Sequence, residues 1–101
     1  MNVIIKKQGE GKTTDLILRS FETGYPIVTS SANRTEYIRA LACKKDLIIP
    51  EPLSIYEIVN HRKQLNTDKV LIDEGFDVLR AVILRDIDSI TLPEEELTNE
   101  Y

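Results

Sequence analysis

The chain has 101 residues, 42% of them hydrophobic and 30% charged, which suits one soluble globular domain and leaves no room for a separate substrate domain. No apolar run approaches the ~18 residues a membrane span requires, and the start MNVIIKKQ lacks the charged, apolar and small-residue regions of a secretory signal. The net charge of −4 comes from the last nine residues, PEEELTNEY, which carry four of the 17 acids and no Lys or Arg; residues 1–92 hold 13 charges of each sign. That balance argues against a strongly basic nucleic-acid footprint, with HRKQ and Lys44–Lys45 as candidates for a local basic patch.

In chain order, NVIIK is a short apolar run expected as a buried strand. KTTDLILRSFET follows as a helix with Leu16, Ile17 and Phe21 inward, stopped by Gly24 and Pro26. PIVTS is the second expected strand. Asn33 with Glu36 resembles a capping box opening the helix RTEYIRALACKK, with Tyr37, Ile38, Leu41 and Ala42 on its inner face. The one cysteine, Cys43, lies on that helix, where packing is expected rather than catalysis. Without a partner it makes no internal disulfide, as suits a reducing compartment.

DLIIP is the third expected strand, stopped by Pro50 and Pro52. Ser54 and Glu57 form a cleaner capping box, flanked by Leu53 and Ile58, for the helix SIYEIVNHRKQL. KVLID is the fourth strand. FDVLRAVILRDI is a helix with Phe76, Leu79, Val82 and Ile83 inward, and SITL is the fifth strand. Strands and helices alternate, and the strands are apolar runs. The expected fold is therefore a three-layer α/β/α sandwich around a mainly parallel five-stranded sheet, over residues 1–92. Residues 93–101 are expected as an acidic, flexible tail. Ligands in such sheets bind beyond the carboxyl ends of the strands, which brings residues 6–13, 29–33 and 73–75 to one edge.

Two of these clusters carry chemistry. KQGEGKTT nearly matches the phosphate-cradling loop G-x-x-x-x-G-K-[ST], except that Lys6 stands where the first glycine belongs. Gly9 and Gly11 give the backbone freedom to turn several N–H groups inward. Glu10 and Thr14 complete the loop, and the helix opening at Lys12 aims its positive end at the phosphates. Lys12 would reach the β- and γ-phosphates and Thr13 would hold Mg²⁺. The second cluster is KVLIDEG, where an apolar strand delivers Asp73 and Glu74 at its carboxyl end.

With these two motifs in this order, the chain resembles a minimal P-loop NTPase of the class that sets a catalytic glutamate beside the Walker B aspartate. Within it, the similarity is to helicase-like and RecA-like motors and to small phage proteins built on them. The resemblance implies that Asp73 helps order Mg²⁺ and that Glu74 is the general base for water. It implies slow ATP hydrolysis, stimulated by single-stranded DNA, a DNA-processing partner or assembly into a homo-oligomer. It also implies a cytoplasmic location, in the host if the gene is a phage's, and no membrane. In helicases the segment matching PIVTSSANRTEYI touches the nucleic-acid backbone, so Ser30, Ser31, Asn33 and Arg34 are candidates for that role. An N-cap Asn33 and a solvated Arg34 are the alternative.

A second motor domain like that of a helicase is not expected within these 101 residues, and no arginine finger is identifiable among them; Arg80 and Arg85 would act only on a neighbouring subunit. Lys7 also resembles the extra lysine of partition-type ATPases that reaches across a dimer, although Gln8 interrupts that pattern. Thr91, competing with Asp88 and Ser89, sits roughly where related enzymes place a γ-phosphate sensor. His61, the lone histidine, has no companions for a metal cage. A nucleotide-binding switch without useful turnover is the main alternative function.

Overall fold

The computed structural model describes residues 3–5, 11–60, 65–91 and 97–99. Strands β1 (Val3–Ile5), β2 (Ile27–Thr29), β3 (Leu53–Ser54), β4 (Leu71–Ile72) and β5 (Leu97–Asn99) alternate with helices α1 (Lys12–Thr23), α2 (Ala32–Lys44), α3 (Ile55–Val59) and α4 (Gly75–Ile83). The α/β class is as expected, but the strands do not form one five-stranded sheet. They make a parallel three-stranded sheet in the order β3-β2-β4 and a separate parallel pair, β1-β5.

α1 covers the expected twelve residues. Gly11 precedes it at φ 79°, and Gly24 ends it at φ 78° with its N–H on the Ser20 carbonyl. Its inner face differs from the expected one. Ile17 and Ser20 are buried while Phe21 is half exposed, because the Ser20 hydroxyl takes the inward position and donates to the Tyr25 carbonyl at 2.7 Å. A polar residue there is stable only because that bond is made.

α2 begins earlier than expected. Its cap is Ser31, not Asn33: the Ser31 hydroxyl accepts from the Arg34 N–H at 3.2 Å, while Asn33 is exposed. The buried Thr29 hydroxyl donates to the Ser31 carbonyl at 2.9 Å and meets the Thr35 hydroxyl at 2.8 Å, fixing the strand-to-helix turn. Ile38 and Ala42 are buried and Leu41 packs beside them, whereas Tyr37 and Cys43 are exposed.

The third strand is displaced from 46–50 to Leu53–Ser54. Pro50 and Pro52 lack the N–H that a ladder needs, and pairing starts only past the second, with Val28 opposite Leu53 and Thr29 opposite Ser54. Leu47 and Ile49 still pack against the core, while Ile48 is exposed. The Ser54–Glu57 capping box is complete in both directions, at 3.1 and 3.3 Å. α3 nevertheless stops at Val59, and Leu65 is not helical; His61 lies outside the described residues.

β4 pairs with β2 through Ile27–Leu71 and Val28–Ile72. Its last rung, the Asp73 N–H to the Val28 carbonyl at 2.9 Å, draws Asp73 beside the end of β2. α4 packs against α3, but only Val78 is buried. Phe76, Leu79, Val82 and Ile83, expected inward, are all more than 40% exposed. Strands of two or three residues offer too little surface to cover that face. Residues 89–91 carry no strand, and the closing strand β5 falls instead in the acidic segment, parallel to β1. Among the described residues no helix is long and apolar enough to cross a membrane.

Candidate functional site

Because β2, β3 and β4 run parallel, their carboxyl ends share one edge, which carries Ser30–Ser31 after β2, Ser54 at the end of β3 and Asp73–Glu74 after β4. The start of α1 meets that edge. The Lys12 ammonium lies 3.1 Å from Glu74 Oε1 and 3.4 Å from Oε2, joining residues 62 positions apart. Each side chain of this pair is about one third exposed, at 34% and 33%, so the bond is open to competition from a better anion.

Asp73 is almost fully buried, at 1% exposure. Burying a carboxylate requires a partner, and Arg34 supplies it. Arg34 Nε donates to Asp73 Oδ2 at 2.6 Å, with Nη2 at 3.4 Å from Oδ1. The same Nη2 donates to the Thr13 hydroxyl at 2.7 Å. One guanidinium thus holds both groups that the loop pattern and its resemblance assign to a metal. The Asp73 hydrogen bond, outweighing burial and helped by the charges of Asp73 and Glu74, pushes the Arg34 pKa above its ordinary value. Arg34 also stacks on Tyr37, with its central carbon 4.7 Å from the ring centroid.

Glu74 adopts the left-handed conformation, at φ 54°, before the first residue of α4. A side chain there costs roughly 1–2 kcal/mol, and such positions concentrate at functional sites. Gly11 has a similar φ of 79°; an added Cβ would meet nothing within 4 Å, so the backbone angle and not space favours glycine.

Of the residues singled out in the sequence, Lys12, Thr13, Asp73 and Glu74 meet here, and Thr14 is half-buried one residue along α1. Gly9, Glu10, Lys6 and Lys7 lie outside the described residues. Ser31 is occupied as a cap and Arg34 is turned inward, leaving Asn33 as the exposed member of the group offered to nucleic acid. Arg80 pairs with Asp77, and Arg85 donates to the Leu84 carbonyl. Thr91 and Ser89 are exposed on the irregular segment after α4, with the Ser89 hydroxyl donating to Asp88 at 2.7 Å.

The sequence offers Arg34 to a nucleic-acid backbone or to solvent, and its place beside Asp73 and Thr13 is what that reading misses. Its signal was positional: it sits in the first turn after β2, the strand that pairs with the one ending in Asp73.

The Thr13 hydroxyl and the Asp73 carboxylate are hard oxygen donors. Among the described residues no group of three His, Cys, Asp or Glu could cage an ion. Two oxygens suit Mg²⁺, which takes few protein ligands and completes its shell with water and substrate phosphate. No protein-family model, curated protein or solved structure matches this chain.

Proposed function

We propose that the chain is a reduced P-loop NTPase that binds a nucleoside triphosphate, ATP foremost, and hydrolyses it slowly. The supporting observation is the meeting of Lys12 and Thr13 at the head of α1 with Asp73 and Glu74 at the end of β4. Among the described residues, Lys12 pairs with Glu74 and Arg34 with Asp73, so each charged group has a partner that a ligand can replace. A polyphosphate is a stronger anion than one exposed carboxylate and takes Lys12 from Glu74. The N–H groups at the start of α1 have no partner within the helix and face the same anion.

Thr13 and Asp73 would hold Mg²⁺, which when bound offsets charge on the phosphate oxygens during transfer. Glu74, freed from Lys12, accepts the proton of the attacking water. A switch reading without useful turnover has one observation in its favour: the base is tied to Lys12 at rest. A DNA strand, a DNA-processing protein or a second copy of the chain is the proposed stimulus in a cytoplasmic setting.

Phosphate release from Mg-ATP, with and without single-stranded DNA, tests this reading. Slow release that DNA accelerates is the expected result. Binding without release under either condition would select the switch.

A further inference from the structure

We infer that Arg34 is a built-in placeholder for the divalent cation, which keeps the metal ligands paired until a metal–polyphosphate complex arrives. This rests on the nucleotide reading above and adds a regulatory step to that same site. The observation is the double grip: Arg34 contacts Asp73 at 2.6 Å and Thr13 at 2.7 Å from one guanidinium. A structural partner for a buried carboxylate needs only the first contact. The second engages the hydroxyl that sits next to Lys12 at the head of α1, so one guanidinium links the two groups that would hold a dication.

The consequence is competition. Arg34 occupies Asp73 Oδ2 and one lone pair of the Thr13 hydroxyl, and its positive charge at these ligands repels a dication, so binding of the metal favours withdrawal of the guanidinium. Arg34 keeps 28% of its side chain exposed while Asp73 keeps 2%, so the arginine is the partner able to leave. It also touches the ring of Tyr37, which is exposed on α2 while Arg34 itself is partly buried. Withdrawal costs a charge-assisted bond, so metal adds less to nucleotide affinity than the ligands alone would allow.

The test compares ADP dissociation constants measured in EDTA and in Mg²⁺ for the wild type, Arg34→Gln and Arg34→Lys. ADP is chosen because it lacks the terminal phosphate that a released arginine could contact. Arg34→Gln is expected to raise the ratio of the EDTA to the Mg²⁺ constant about tenfold, the size of one charged hydrogen bond. Arg34→Lys, which keeps the charge but loses the fork, is expected to raise it less, and it carries the test should the glutamine variant not fold. An unchanged ratio in a folded variant that still binds ADP would overturn the inference and make Arg34 a structural partner only. Failure of the wild type to bind ADP at all would remove the nucleotide reading first, and this inference with it.

Discussion

Replacing Glu74 by Gln is expected to lower phosphate release from Mg-ATP by about 10²–10⁴-fold, the usual worth of a positioned general base, while nucleotide binding holds or tightens. Gln keeps the size and shape of the side chain, so the left-handed backbone at residue 74 is no more strained than before. What changes is the ability to take a proton from water. The same substitution frees Lys12 from its carboxylate partner. That pair is partly exposed and worth only ~0–1 kcal/mol, so stability should hardly move, and Lys12 starts closer to its phosphate-bound state. Single-turnover hydrolysis and titration of a non-hydrolysed analogue separate the two effects. Turnover within a few-fold of wild type would show that Glu74 is not the base.

Ile38→Ala is expected to cost about 2–5 kcal/mol of folding stability, the range for truncating a fully buried aliphatic side chain. Ile38 has no exposed surface and packs with Ile17, Ile27 and Ala42. Those four residues tie α1, β2 and α2 together, and they hold the turn that carries Arg34. Since small domains have only ~5–15 kcal/mol to lose, the variant should melt far below the wild type in a urea or thermal titration. A loss under ~1 kcal/mol would mean that this cluster is not the core.

Local signals in the sequence read well because their partners lie a few residues apart. α1 between Gly11 and Gly24 and the Ser54–Glu57 box both follow from short-range backbone bonding. DLIIP has strand composition, yet pairing with β2 begins only at Leu53, past two prolines that bring no N–H to a ladder, and Leu47 and Ile49 pack on the core without joining it. The face of α4 was misjudged for a different reason: periodicity reports which residues align on a helix, not whether a surface exists to receive them. Phe76, Leu79 and Ile83 align as expected but remain exposed.

At the site, Lys12, Thr13, Asp73 and Glu74 were legible as two motifs, and parallel pairing to a common edge brings such motifs together. Arg34 stands out in the sequence only as a nucleic-acid candidate; its pairing with Asp73 and Thr13 is not legible there. Its role depends on the register of β2 against β4, where Ile27 opposes Leu71, and on a cap at Ser31 that outcompeted the Asn33–Glu36 pattern. The register is a long-range pairing that no local pattern records, whereas the cap is local: the Thr29 hydroxyl bond to the Ser31 carbonyl fixes the turn so that Ser31, not Asn33, opens the helix.

The central claim is that Lys12 anchors a nucleotide phosphate, and the shift in melting temperature on adding Mg-ATP measures it most directly, wild type against Lys12→Ala. With ligand at ~100 times Kd, the wild type should gain about 2.7 kcal/mol of stability. Lys12→Ala should fold with near-native stability, since its lost ion pair is partly exposed, yet show no gain. A wild type that does not respond, or a Lys12→Ala variant that responds equally, would contradict a nucleotide site at the head of α1.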